Sequence, residues 1–481
     1  MNYINKISWV LLLYDEFKNH IKEIADKFKA IDKKETIRLI SHLDADGISA
    51  ASIMIRLLNK DNRKYSISIV QQLTEPIINA LSKEAYNYFV FTDLGSGQIN
   101  LIKKMLGEKK IFILDHHKPE EAEAENIYHV NPHLFGIDGS LEIAGSGVVY
   151  LFAKAVNKEL ENLAHVAVIG AIGDVQEEHG FSKLNSGILE KAIELGKIKV
   201  IKGIRVFGAQ TRALHKVLEY STNPYIPGVS GSESGAIQFL QQIGINPKNG
   251  NGWTKLVHLS DEDLKKLATG IIMRRLNEDK PEEILGNVYI LPNEDKESPT
   301  RDAKEFSTLL NSCGRMGKAS LGIGTCLGDK KIKAKAIRSM VDYKRELVNA
   351  LKWYEKNKES ENVIQGDGYL IINTKDNIMP TIVGTLASII SKSGNVKQDS
   401  FIMSMADLLD GNTKISLRIA SYKPKDIDLR NIIKEITDKV GGEAGGHMHA
   451  AGAIIPNEKE EEFIKAAKFV LNEKAIEEKI L

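Results

Sequence analysis

The chain has 481 residues, of which 42% are apolar and 27% charged, with 65 Lys and Arg set against 64 Asp and Glu for a net charge of +1. These are the fractions of a soluble globular protein, long enough for about three domains. Near-neutral charge excludes nucleic-acid binding through a whole-molecule field and requires a local basic surface for it.

Residues Ile4 to Ala30 carry apolar residues at helical spacing without a breaker, so a leading helical segment over 1–35 is expected. The short run Trp9-Val-Leu-Leu-Leu-Tyr14, soon followed by Asp15, Glu16 and Lys18, reads as one face of that helix rather than a leader or a membrane span. A cytoplasmic protein is therefore expected. Thr36 to Ser41 reads as a strand that runs into His42-Leu-Asp-Ala-Asp-Gly47, after which helical spacing resumes to Lys60. Strand, acidic turn, glycine and helix open an α/β unit.

The pattern recurs. Tyr65–Val70 and Tyr88–Thr92 are further strands, the latter stopping at Asp93-Leu-Gly-Ser-Gly97, with helices between and after. Ile111-Phe-Ile-Leu114 is a fourth strand and exits into Asp115, His116 and His117; Tyr128-His-Val-Asn131 is short and β-like. Strands alternating with helices imply a mostly parallel sheet, in which functional groups gather at the carboxyl ends of the strands. Asp44, Asp46, Asp93 and Asp115 all fall there. Gly145-Ser-Gly147 opens a helix, and the apolar stretch Leu163 to Ala171, readable as helix or strand, ends in Gly170-Ala-Ile-Gly-Asp174.

Residues 36–200 are therefore expected to form a catalytic α/β domain. A mainly helical connector over 201–300 is expected next, ending near the polar, Pro-bounded segment Leu291–Pro299. The remainder, 301–481, contains a long charged helix and a second α/β region. There a helix over Arg430–Val440 meets a Gly-rich run from Gly441 to Gly446, followed by a final strand near Ala451–Ile455. Only Cys313 and Cys326 are present, which excludes a disulfide framework and a cysteine zinc site.

Oxygen and imidazole donors together suit Mn²⁺ better than Zn²⁺, Co²⁺ or Fe²⁺. Asp44 and Asp46, two apart, project to one side of an extended segment. With Asp93, Asp115, His116, His117 and Asp174 they make a donor set sized for two divalent ions, and His42 is a further ligand or a partner of one. Two ions about 4 Å apart can ionise a bridging water and stabilise a phosphoryl group during in-line displacement. Asp after a strand also commonly caps the next helix, and that reading serves any one of these acids taken alone. It does not account for all of them at matching positions. Arg315 and Arg418 offer planar forks suited to phosphate, Ser416 a hydroxyl, and the Gly-rich run close backbone approach to an anion, with His447 beside it. A surface ion pair for each arginine and a helix cap for the glycines are the structural alternatives.

The motifs His42-Leu-Asp-Ala-Asp-Gly, Thr92-Asp-Leu-Gly, Leu114-Asp-His-His and Gly170-Ala-Ile-Gly-Asp resemble, in order, the four motifs of the DHH phosphoesterase superfamily. Gly445-Gly-His-Met-His-Ala-Ala-Gly452 resembles the Gly-rich motif of the associated DHHA1 domain, with Ala444 where that family has a third glycine. Asn311-Ser-Cys-Gly-Arg315 is similar to a segment of RecJ-type exonucleases, and the size and connector point to their archaeal branch. The resemblance spans residues 36–460.

It implies an N-terminal parallel-sheet DHH domain, a helical connector and a C-terminal α/β DHHA1 domain that holds the substrate strand. It implies two Mn²⁺ ions, or Mg²⁺, held by Asp44, Asp46, Asp93, His116 and Asp174, with Asp115 and His117 completing or orienting the shell. Arg315, Ser416, Arg418, Gly445, Gly446 and His447 would meet substrate, whereas His449 is read as structural. The implied activity is exonucleolytic hydrolysis of single-stranded DNA, 5′ to 3′, in replication or repair, with RNA or the opposite polarity as variants. An oligonucleotide or cyclic-dinucleotide phosphodiesterase and a non-catalytic replication scaffold are the alternatives. A GINS-type replication complex is the partner the family implies, and no membrane association is expected.

Overall fold

A computed structural model describes residues 3–480 except 123, 179, 222–223, 251, 394–395 and 421–426, and excludes the side chains of 3–11, 447 and 476–480. The chain divides into two compact units, Met1–Met340 and Val341–Leu481.

The first unit opens with α1 (Tyr3–Lys29), whose buried Phe17, Ile21, Ile24, Ala25 and Phe28 recur every three to four positions and so form one apolar face. Strand β1 (Thr36–His42), helix α2 (Ala45–Lys60), β2 (Lys64–Val70), α3 (Glu75–Ser82), β3 (Tyr88–Thr92), α4 (Ile99–Leu106), β4 (Lys110–Leu114) and β5 (Ile127–Val130) follow. The five strands lie in the order β2-β1-β3-β4-β5, every neighbouring pair parallel. The central strands β3 and β4 are covered on both faces, which is why they read as nearly continuous apolar runs. Leu39, Val90, Phe112 and Leu114 face α1, α2 and the next helix, α5 (Gly145–Val156). Ile40, Phe89, Phe91, Ile111 and Ile113 face α3 and α4. Phe28 of α1 closes the first face edge-on to Phe112 and Phe152, at centroid distances of 5.5 and 5.4 Å.

Strand β1 sends the chain outward to β2, and the next strand, β3, lies on its other side. The strand order therefore reverses between β1 and β3, and the carboxyl ends of that pair form the crevice such sheets use for binding. The stretch that the sequence left open between helix and strand is helix α6 (Ala164–Gly173), buried along almost its whole length against α2 and α5. With no polar face, its hydrophobic pattern has no period to read.

Beyond α7 (Lys183–Glu194) the connector is less purely helical than its sequence suggests. Strand β6 (Lys199–Ile204) pairs antiparallel with β9 (Leu285–Ile290), a ribbon whose exposed lysines hide its strand character. Between them α8 (Leu214–Glu219), α9 (Glu233–Gln242), the two-residue strands β7 (Lys248–Asn249) and β8 (Gly252–Trp253), and α10 (Asp261–Arg274) surround a small core of their own. Helices α11 (Ala303–Arg315) and α12 (Ala319–Cys326) pack on α2, and α11 also on α6, so residues 311–315 lie in the first unit. The long α13 (Lys330–Asn357) contains the division between units.

In the second unit β10 (Val363–Gly366), β11 (Tyr369–Asn373), α14 (Pro380–Lys392), β12 (Ser400–Asp407), β13 (Asn412–Ala420), α15 (Leu429–Val440), β14 (Glu443–His447), β15 (Ala450–Pro456) and α16 (Glu460–Ile480) build a mixed sheet ordered β10-β11-β12-β13-β15-β14. The Gly-rich run is thus an edge strand. Gly441 ends α15 at φ +95°, and Gly446 sits at φ +127°, where a side chain would meet the Ala450 carbonyl at 2.5 Å. No helix among the described residues is long and apolar enough to cross a membrane.

Candidate metal centre

The loops that leave β1, β3 and β4 at the crevice end of the first sheet each deliver one or more donors, and the end of α6 delivers another. After β1 the chain turns sharply at Gly47, where any Cβ would lie 2.4 Å from the His42 carbonyl. Asp44 is extended and does cap α2, its Oδ1 accepting from Gly47 N at 2.9 Å, which leaves Oδ2 3.0 Å from His42 Nδ1. Asp46 lies in the first turn of α2, not on an extended segment, and is fully buried. The pair still converges because the helix start turns both carboxylates toward the crevice. Asp93, beyond β3, holds the left-handed backbone at φ +59°, with its N–H on the Leu114 carbonyl. Asp174 ends α6.

These groups surround two centres. His42, Asp44 and Asp93 place one donor atom each within 4.8 Å of one another, as do Asp46, His116 and Asp174. Asp93 belongs to both neighbourhoods: Oδ2 is 3.6 Å from His42 Nδ1, and Oδ1 is 3.3 Å from His116 Nε2. His116 Nε2 is also 3.3 Å from Asp174 Oδ2 and 3.8 Å from Asp46 Oδ2. The His116 ring is aimed by its other nitrogen, since Nδ1–H donates to the Gly139 carbonyl at 2.7 Å. A third donor group, Asp93, Asp115, His116 and His117, has the same compactness.

The electrostatics fit a cation. Asp46 Oδ2 and both oxygens of Asp93 are buried without a hydrogen-bond donor among the described residues. Such oxygens are costly unless a positive charge meets them. Burial, then the charges of Asp93 and Asp174, push the Asp46 carboxyl well above its usual range. Burial raises Asp174 to about 7, with Asp44 and Asp93 adding to it against the opposing pull of His116. For His116, burial opposes the charged form, but the neighbouring carboxylates of Asp93, Asp174 and Asp46 raise it well above the ordinary imidazole value. Without a metal, protons are what reconcile these carboxylates. Two or three oxygens and an imidazole per centre suit Mn²⁺ or Mg²⁺.

Asp115 stands apart from the other acids. Its Oδ1 accepts from the backbone N–H groups of His116 (2.8 Å) and His117 (3.2 Å) and from His117 Nδ1 (2.7 Å), and its Oδ2 from Ser96 N (3.0 Å). Burial alone would raise its carboxyl, yet the two imidazoles and these donors hold it well below the usual range. A carboxylate so supplied orients the histidine loop, and it fixes His117 with Nε2 outward.

The sequence did not single out Ser96, Asn131, Gly139 or Ser146. Asn131 donates to the His117 carbonyl and to Ser96 Oγ, both at 2.8 Å, while Ser146 N donates to Asp46 Oδ1 at 3.0 Å. The glycine of Gly145-Ser-Gly147 was the available signal: a Cβ on Gly145 would lie 2.4 Å from Asp93 Oδ1.

Of the expected substrate residues, Arg315 is half-buried at the end of α11, in the same unit as the metal ligands. Its neighbours brace the β1 turn: Asn311 Oδ1 accepts from Ala45 N at 3.0 Å, and Gly314 lies so close that a Cβ would come within 1.6 Å of the Leu43 carbonyl. Gly314→Ala is expected to destabilise the protein by about 1–3 kcal/mol through overpacking against immovable backbone. Urea unfolding measures this, and an unchanged midpoint would show that α11 does not seat there. Ser416 and Arg418 lie on β13 of the second unit, and Gly445 and Gly446 on β14, with β15 between. Ser416 and Gly445 are both in register with Gly452. Arg418 is anchored by Nε on Ser388 Oγ at 2.9 Å and by Nη1 on the Leu417 carbonyl at 2.8 Å. The His447 side chain lies outside the described residues.

A doubly wound parallel sheet with this acid-and-imidazole cage at its switch point, followed by a mixed-sheet unit, defines a phosphoesterase architecture. The chain belongs to the DHH family of phosphoesterases: it matches the DHH family N-terminal domain over residues 36–172, the DHH-CID domain over 206–288 and the DHHA1 domain over 367–473. An uncharacterized protein of Methanocaldococcus jannaschii is 33% identical over 473 residues, covering 94% of this chain and 98% of that one. The single-stranded-DNA-specific exonuclease RecJ of Bacillus subtilis is 28% identical over 205 residues, 39% of this chain and 26% of RecJ. Among solved structures, RecJ of Thermus thermophilus in complex with Mn²⁺ superposes over 94% of this chain and 55% of its own, with TM-score 0.57 and 16% identity. Cdc45 of Entamoeba histolytica superposes over 97% and 99%, with TM-score 0.62 and 13% identity. This chain thus spans about half the length of the Thermus RecJ. At these identities both structures share its fold.

Proposed function

We propose that this protein is a divalent-metal-dependent exonuclease that hydrolyses phosphodiester bonds of single-stranded nucleic acid, DNA in the 5′ to 3′ direction by preference. The observation that carries this reading is the pair of donor sets bridged by Asp93, which together contain His42, Asp44, Asp46, Asp93, His116 and Asp174 and include three buried carboxylate oxygens without a hydrogen-bond donor among the described residues. His42, Asp44 and Asp93 would hold one ion, and Asp46, His116, Asp174 and Asp93 the other, Mn²⁺ by preference and Mg²⁺ as the substitute. Bound divalent ions neutralise phosphoryl oxygens and acidify water.

The chain's own residues do the rest. Asp115 holds His117 by Nδ1 and leaves its half-exposed ring able to exchange a proton at the mouth of the site. Gly139 fixes His116 so that Nε2 faces the carboxylates. Arg315 supplies a bidentate fork for a phosphate, and Ser416, Arg418 and the Gly445–Gly446 backbone, with His447, hold the phosphates of the strand. A replication complex of the GINS type is the partner in this reading, as the resemblance to archaeal RecJ-like proteins implies. The likeness to Cdc45 favours a second reading, a non-catalytic scaffold, which the intact donor sets oppose.

The test is turnover of end-labelled single-stranded DNA and RNA, a dinucleotide, a cyclic dinucleotide and pyrophosphate with Mn²⁺. Ladders on long strands, lost in His116→Ala, are expected. Turnover of dinucleotides alone would replace the proposal with an oligonucleotide phosphodiesterase, and no turnover of any substrate with the scaffold.

A further inference from the structure

The carbonyl of Gly139 that aims His116 has a second donor. Gln176 Nε2 donates to the same oxygen at 3.0 Å, from a side chain only 6% exposed. Gln176 is itself aimed, because its Oε1 accepts from Asn185 Nδ2 at 2.6 Å, and Asn185 is 3% exposed. The backbone N–H of Asn185 in turn donates to the Glu142 carbonyl at 3.1 Å, on the same loop as Gly139. Gly139 passes close to the histidine loop, since a Cβ there would lie 2.0 Å from the His116 carbonyl.

Gln176 follows Asp174 by two residues, across a turn in which Val175 takes φ +62°. Its amide therefore ties the loop that carries Asp174 to the carbonyl that orients His116, and both groups sit 3.3 Å apart in one donor set. We infer that Gln176, held by Asn185, is a positioning residue of the metal centre. It sets the geometry of His116 and Asp174 toward the ion without touching it. The inference rests on the proposed metal-dependent reading and adds to it a residue that the motif pattern does not contain. Outer contacts of this kind change metal affinity by about 10- to 100-fold when removed.

The test is Mn²⁺ affinity by calorimetry, with kcat and KM measured on a labelled strand. Gln176→Met keeps the volume and removes the amide. It should raise the Mn²⁺ dissociation constant by about tenfold or more and lower kcat at subsaturating metal, with the metal-free thermal midpoint near that of the unaltered protein. Asn185→Leu, which leaves Gln176 in place without its orienting donor, should show a smaller change of the same sign. An unaltered Mn²⁺ constant in both variants overturns the inference. So does a loss of affinity in Gln176→Met that excess Mn²⁺ cannot reverse in kcat, which would mark a packing defect. Failure of the unaltered protein to bind Mn²⁺ would instead sink the functional proposal.

Discussion

Asp93→Asn is expected to lower metal-dependent hydrolysis by on the order of 10³-fold while leaving the fold in place. Asparagine is close to isosteric and tolerates the left-handed backbone that Asp93 adopts at φ +59°, so the loop has no steric reason to move. What changes is charge. Both Asp93 oxygens are buried without a hydrogen-bond donor among the described residues, one toward His42 and one toward His116, so the substitution removes the negative charge common to both donor sets and turns one of the two oxygens into an NH2 group. It also removes a field that helps push Asp46 and Asp174 upward, so the metal-free variant should unfold at the same temperature as the parent or a higher one. Activity above about a tenth of the parent's at saturating Mn²⁺ would refute a shared ligand, and a large fall in the metal-free midpoint would assign Asp93 to folding.

The second expectation concerns acid. His165 lies on α6, its imidazole lowered to about 4 by burial first and by the charge of Lys197 second. Above pH 6.5 the ring is neutral folded or unfolded, and it contributes nothing to pH dependence. Between 6.5 and 4 the unfolded chain takes up a proton that the folded one refuses, so stability falls as pH falls, by about 3 kcal/mol at most. His165→Gln should flatten the stability curve in that window. Denaturant unfolding of both proteins at pH 7, 5.5 and 4.5 reads the difference, and parallel curves would mean that His165 is solvated. His129, lowered to about 4 by burial, acts in the same direction, so the variant retains a slope.

Much of the first unit was legible because burial on both faces writes β3 and β4 as unbroken apolar runs, and β1, β3 and β4 each run into an acid or imidazole that the crevice needs. Asp44, Asp46, Asp93, His116 and Asp174 come together as that pattern implies. The pattern could not tell Asp115 from the other acids, since a carboxylate that orients and one that faces an ion are the same letter; only its set of donors separates them. Asn131, Gly139 and Gln176 were invisible for a related reason: they act through a carbonyl or an amide, and nothing in their spacing marks a partner dozens of positions away. Helix α6 lacked a polar face to give it a period. In the second unit the run Gly441–Gly446 divides: Gly441 ends α15, in line with the helix-cap alternative, while Gly445 and Gly446 lie in the edge strand β14, which the rarity of glycine in strands concealed.

The order of the first sheet also dictates when its cage can exist. The ligand loops follow β1, β3 and β4, but the last acid arrives only at the end of α6, after the whole five-stranded sheet has been synthesised. A nascent chain on the ribosome therefore carries unmatched aspartates until that helix emerges and docks. In the proposed reading, a cation therefore finds its full donor set only once that helix has docked.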